Sequence, residues 1–408
     1  VTAGSVAAVT TSVATSAGTV SSPRRVLLGA AAVSTSGALP VFLTGAQAVQ
    51  LQRALSIEAS GIGLLVAASF GAAAASSAVL GRVAERIGPI AALRTSAACS
   101  ATVMALLAVV GASWRVFAVG MALSGCANAL AQPSANLLVA RGVPERRHGV
   151  AFAVKQSAIP TATLLGGVAV PLLTLTMGWP AAYLTGAAVA VGAALVIPRG
   201  STSGDREPTG AGETARRPRG APRPLPPLIV LGVGIGLGAA GAGGVTTFLV
   251  AGAVDAGFAE STAGWLLMAG SAVGIASRVT MGFRADRLGG DQLPTVIAMM
   301  AIGAVAIMAY ALGTPLVFVV ATPVAFGVGW AWPGLFNLSV VRAYPGAPAA
   351  ATGVSQTGTY LGAGLGPVAV GAAITWGSFG AGWTVAAGVM ASGAAAMVVA
   401  RRILARSS

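Results

Sequence analysis

Residues 228–254 contain no charged side chain, and neither do residues 26–50, 61–80 or 116–140. Blocks of this length decide the fold class before anything else is considered. A bilayer core of about 30 Å needs about 20 apolar residues per helical crossing. In hydrocarbon the backbone must satisfy its own hydrogen bonds, so the crossings are helices or a closed barrel. Barrel strands alternate over about ten residues, whereas these runs are solidly apolar. The chain therefore reads as an all-α polytopic membrane protein. Only 8% of its 408 residues are charged.

Twelve blocks predict twelve spans, at 26–50, 59–80, 90–112, 116–140, 149–175, 180–197, 228–252, 262–283, 293–312, 315–341, 349–375 and 380–400. One connection is long. Residues 198–227 hold seven of the 22 prolines and six arginines, the composition of a flexible linker. The reading is thus a disordered tail at 1–25, a six-helix bundle at 26–197, a linker at 198–227, a second bundle at 228–400 and a short tail at 401–408.

Charge orients the spans. Lys155 is the only lysine, which leaves 23 arginines among the 24 basic residues. Twenty of these arginines fall on one side of the spans or in the linker and tails, while only Arg53 and Arg115 fall on the other side. Basic residues stay on the cytoplasmic side, so both termini are expected in the cytoplasm and the membrane is the cytoplasmic one. Trp114, Trp179, Trp265, Trp376 and Trp383 lie at the opposite ends of the spans, an aromatic belt that agrees with this orientation. The net charge of +14 is spread over membrane flanks and is not gathered on one surface, which argues against nucleic acid as a partner.

The sequence also lacks the parts of several chemistries. Its two cysteines, Cys99 and Cys126, lie inside apolar blocks and read as packing residues, and His148 is the lone histidine. No metal site, no cofactor and no phosphate-binding glycine loop is expected. With no cluster of nucleophiles in the spans, the chain does not read as an enzyme.

A small charged stretch occurs twice, as GRVAERIG at 81–88 and GFRADRLG at 282–289. Each copy follows the second span of its half. LLGGVAV (164–170) and GLGPVAV (364–370) repeat the relation, as do Gln156 with Gln356 and Pro133 with Pro333. The chain is therefore two similar six-helix halves.

Six plus six helices, a basic central linker and a G-x-x-x-[DE]-R-x-G loop in each half resemble the major facilitator superfamily over residues 26–400. The resemblance implies a secondary transporter whose pseudo-symmetric bundles rock about a central site. It carries over a conformational latch as Gly81, Glu85, Arg86 and Gly88 with Gly282, Asp286, Arg287 and Gly289. A carboxylate in such a loop can hold an arginine or a helix end. Arg278, one turn before Gly282, reads as a partner of those carboxylates. Pro89 and Ile90 stand where the family usually has basic residues.

For substrate contact the residues of interest are polar groups within the spans. Lys155 lies six residues into the fifth span, and an intramembrane charge is usually functional. Its alternative is to snorkel back to the surface. Gln156 and Gln356 flank the same level. Asn128, Gln132 and Asn136 form a stripe at four-residue spacing on the fourth span. Thr44 and Gln47 in the first span, Thr246 in the seventh, Trp332 and Asn337 in the tenth and Tyr360 in the eleventh complete a candidate ring. The expected cargo is a small organic molecule, with an organic anion favoured by Lys155 and protons as a candidate coupling ion. The rivals are an exporter of drugs or natural products, and a membrane sensor that does not transport. None of the ten acidic residues falls in the middle of a span. The fifth span also lacks a proline that exporters of this resemblance carry.

Overall fold

The computed structural model describes residues 23–111, 113–143, 148–197, 225–288, 290–344 and 348–407. Residues 1–22 of the tail expected at 1–25, most of the linker (198–224) and Gly289 lie outside the described residues, as do the side chains of Asp286 and His148, and residues 23–25 are helical. Among the described residues every regular element is a helix.

Ten helices are long and apolar enough to cross a bilayer by length and composition. They include α1 (Pro23–Ala46), α3 (Ala59–Ile87), α4 (Pro89–Val110), α5 (Trp114–Gly142) and α9 (Trp179–Val196) before the linker. After it come α10 (Leu225–Asp255), α11 (Glu260–Leu288), α12 (Leu293–Ala309) and α16 (Phe379–Ser407). The tenth is the fifth expected span, built from α6 (His148–Gln156), α7 (Ala158–Ala169), a π-helical turn at Val170–Thr174 and the short α8 (Leu175–Met177). Two expected spans are not among the ten, for different reasons. The span at 315–341 is broken into α13 (Pro315–Gly327) and α14 (Pro333–Ala343). The span at 349–375 is one helix, α15 (Pro348–Trp376), diluted by the polar run TGVSQTGTY at 352–360.

The first correction concerns the repeated stretch. Gly81, Glu85 and Arg86 lie on the last turns of α3, and Gly282, Asp286 and Arg287 on the last turns of α11. These positions are helix where a loop was expected, because Ala, Arg, Glu and Leu are good helix formers. The first helix stops only where Gly88 takes a φ of +82°, and Pro89 then opens α4 at its first position.

The two halves meet closely at the tryptophan-bearing ends of their helices. A Cβ built on Gly63 of α3 would lie 2.3 Å from the Pro367 carbonyl oxygen of α15. One on Gly167 of α7 would lie 2.7 Å from the Gly264 carbonyl oxygen of α11. Only glycine permits such backbone approach between membrane helices. Toward the arginine-bearing ends the same helix pair is looser. A Cβ on Gly81 or Gly353 would meet nothing within 4 Å.

Candidate functional site

Lys155 ends its helix, α6, facing inward. It is 3% exposed, and its Nζ donates to Gln132 Oε1 of α5 at 2.5 Å. Gln132 Nε2 in turn donates to Asn128 Oδ1 at 3.1 Å. That oxygen lies against α1, 3.3 Å from where a Cβ on Gly37 would stand. The ammonium therefore lies inside the first half, at the head of a hydrogen-bonded chain from α6 into α5 that ends against α1. It does not reach back to the membrane surface. Asn136, the third residue of the expected stripe, is exposed.

A second buried cation reaches the backbone one residue beyond Lys155. Arg278 of α11 is 8% exposed. Its Nη1 donates to the carbonyl oxygen of Gln156 at 3.0 Å, and its Nη2 to that of Trp330 at 2.7 Å. Its Cζ lies 5.0 Å from the centroid of the Trp330 ring, a cation–π contact. Arg278 was read from sequence as a partner of the loop carboxylates. Among the described residues no carboxylate bonds it, and main-chain oxygens hold it.

Prolines explain why those oxygens are free. In a regular helix the amide of residue 160 would bond to the carbonyl of residue 156. Pro160 has no N–H, so the Gln156 carbonyl is left open to Arg278. The break between α13 and α14 works the same way. Pro333 leaves the Gly329 carbonyl without its helical partner, and Trp332 Nε1 fills the place at 2.8 Å. Ser277 Oγ bonds the Gly327 carbonyl, and Arg278 takes that of Trp330. Adjacent residues of α11 thus close the carbonyls that a broken helix exposes, which a membrane protein requires of irregular backbone.

The remaining expected residues divide. Gln356 is exposed and within hydrogen-bond reach of Tyr360, whose ring lies 6.4 Å from that of Phe70 across the seam between the halves. Asn337 is half-buried. Thr44 Oγ1 and Tyr183 Oη are 2.8 Å apart, tying α1 to α9 within the first half. Thr246 Oγ1 donates to the Gly243 carbonyl of its own helix. Trp332 is 1% exposed and packs against Gly238 of α10, in the core of the second half. Gln47 stands between α1 and α2 (Ala48–Leu55), buried, with neither polar atom of its side chain hydrogen-bonded. It follows Thr44 by three residues and precedes Gln50 by three.

The sequence reading missed a bridge on the tryptophan-bearing face. Arg53 Nη1 of α2 donates to Glu260 Oε1 of α11 at 2.7 Å, and Gln50 Nε2 donates to Glu260 Oε2 at 2.6 Å. The amide of Ser60 on α3 donates to Thr375 Oγ1 on α15 at 3.0 Å. Both contacts join the two halves. A usable signal was present, since Arg53 is one of only two arginines on the sparse side of the spans. By contrast Glu85, Arg86 and Arg287 are exposed.

A family model described as Major Facilitator Superfamily matches residues 25–367. No curated protein matches the chain in sequence. Among solved structures the chain resembles a bacterial homolog to the human lysosomal transporter Spinster in an inward-facing and occupied conformation. The identity is 16%, the TM-score 0.68, and the match covers 95% of this chain and 98% of that one. It also resembles the D-xylose–proton symporter at 15% identity and a TM-score of 0.72, over 92% of this chain and 97% of that one.

Proposed function

The chain belongs to the major facilitator superfamily and is a multi-pass secondary transporter, and from that premise we propose that its cargo is a small organic anion. The observation that carries this reading is the pair of buried cations. Lys155 and Arg278 are bonded to a neutral amide and to backbone oxygens, with no carboxylate among the described residues beside either one. An uncompensated charge inside a membrane protein is expensive, and an anion arriving between the two cations would offset it. Rocking of the halves would then carry the anion across.

The arginine distribution supports placing both termini and the 198–227 linker in the cytoplasm of a plasma membrane. On that orientation the loosely packed ends of the helices face inward. The bundles at 26–197 and 228–400 are the two rocking bodies. Protons are the coupling ion in this reading, since a proton moving with an anion cancels its charge. The D-xylose–proton symporter offers a fold-level parallel only.

Uptake of a panel of anionic, neutral and cationic solutes into proteoliposomes, with and without a pH gradient, tests the reading. Lys155→Gln keeps hydrogen bonding and removes charge. A charge-assisted bond contributes about 1.5–3 kcal/mol, so apparent affinity for the anion is expected to fall about tenfold to hundredfold. An unchanged affinity removes Lys155 from the site.

A further inference from the structure

Arg278 differs from an ordinary structural arginine in what it leaves undone. It is more than nine-tenths buried, yet only two of its N–H groups have acceptors among the described residues. The rest of its donor edge is unfilled. Its two acceptors also belong to different bodies, with Gln156 in the first half and Trp330 in the second.

From this we propose that Arg278 is a second anion-binding group and that the cargo is a small dicarboxylate. One carboxylate is taken by the Arg278 fork and the other by Lys155. The inference rests on the anion reading above and goes beyond it in assigning two charges and a second residue. The charge count favours a dianion, because the two cations face no carboxylate among the described residues. Geometry favours Arg278 for one end, because a guanidinium meets a carboxylate through two parallel hydrogen bonds. The Gln156 carbonyl that Arg278 holds belongs to the residue next to Lys155, so the two cations are carried by neighbouring backbone. Trp330, packed by Phe42 and Phe326 at centroid distances of 6.1 and 5.7 Å, sets its ring against the Arg278 guanidinium.

Binding would also alter the protein. A carboxylate is a stronger acceptor for a guanidinium than a peptide carbonyl. An arriving carboxylate displaces the Gln156 carbonyl, while the Trp330 carbonyl stays bonded within its own half. The occupied site thereby loses a main-chain tie between the halves. A ligand that does this shifts the population toward the state in which the halves separate there.

The test is ligand-dependent thermal unfolding of the purified full chain, since a ligand bound to the native state raises the midpoint. The probes are oxalate, malonate, succinate and glutarate, with butyrate as a monoanion and succinamide as a neutral isostere. At least one dicarboxylate is expected to raise the midpoint well above butyrate at equal concentration, with succinamide inert. Arg278→Lys keeps a charge but loses the fork, and should weaken the best dicarboxylate by about tenfold or more. Arg278→Gln should abolish its effect. Should that variant fail to fold, Arg278→Lys decides the matter alone. Equal binding of the dicarboxylate by wild type and Arg278→Lys overturns the inference. Butyrate binding that depends on Lys155 and ignores Arg278 also overturns it but leaves the anion reading standing. No stabilisation by any carboxylate removes both.

Discussion

The two faces of the molecule hold the halves together in opposite ways. On the tryptophan-bearing face, backbones touch at Gly63 and Gly167, and Arg53, Gln50 and Ser60 bond across the seam. On the arginine-bearing face, Glu85, Arg86 and Arg287 of the repeated family stretch are exposed. Gly81 there has open space where a neighbouring helix would press. The first copy of the conspicuous sequence motif thus makes no close approach at Gly81, while a Cβ on Gly282 of the second copy would lie 3.6 Å from Ala153 Cβ of α6. The contacts that close the other face are on inconspicuous residues. A two-state transporter needs a set for each state, and one structure displays one of them.

Three substitutions test that contrast, read by modification of a cysteine placed at Gln356 after Cys99 and Cys126 are replaced. Gln356 is exposed on the looser side, so its labelling reports how much of the population is open there. The largest effect is expected from Gly63→Ala. The added methyl would stand 2.3 Å from the Pro367 carbonyl oxygen, so the backbone must move. Overpacking costs about 1–3 kcal/mol, a shift of about fivefold to over a hundredfold away from this state. Labelling should fall, and faster labelling would show that the seam is not what closes this face.

A smaller shift in the same direction is expected from Glu260→Gln. Arg53 is 64% exposed and Glu260 16% exposed at their side chains, so the pair is partly solvated. Such pairs contribute about 0.2–1 kcal/mol and weaken with salt. Labelling should fall by no more than about fivefold, and less in high salt. Exchanging the two charges, Arg53→Glu with Glu260→Arg, should restore it. An effect as large as that of Gly63→Ala would mean that the ion pair dominates over packing.

The smallest effect, with the opposite sign, is expected from Glu85→Gln. Glu85 is exposed and makes no hydrogen bond or ion pair with any described residue, so removing its charge can only weaken the other state. Labelling should rise by about twofold or less, the range of a surface contact. A fall would place Glu85 among the groups that hold the present state.

Much of the architecture was legible in the sequence because span length and charge bias are one-dimensional signals. Lys155 was visible as the only lysine, and Gln132 as a neighbour at helical spacing. Other features depend on which helix faces which. Arg278 was misread because its sequence neighbours include carboxylates, whereas its spatial neighbours are carbonyls of α6 and of the break before α14. Half of that arrangement was readable: Pro160 and Pro333 strand the carbonyls at 156 and 329 by a fixed offset. The identity of the cation that would fill them was not. Gln47 and Trp332 looked like cavity residues by type and span. Trp332 packs in the core of its own half against Gly238, and Gln47 is buried with its amide unbonded. The stretches after α3 and α11 were read as loops because the bilayer accounts for only part of each helix, and nothing in the apolar pattern says how far a helix continues past it.

The bond between Arg278 and the Gln156 carbonyl has a consequence for how this protein tolerates mutation. Its acceptor is an oxygen that every amino acid carries, so the side chain at 156 can be exchanged without removing the bond. What cannot be exchanged freely is the pattern that exposes the oxygens, Pro160 and the interruption ahead of Pro333. The centre of the molecule therefore places its demand on backbone shape at positions a few residues removed from the contact. A mutational scan should find tolerance at position 156 and intolerance at Pro160 and Pro333.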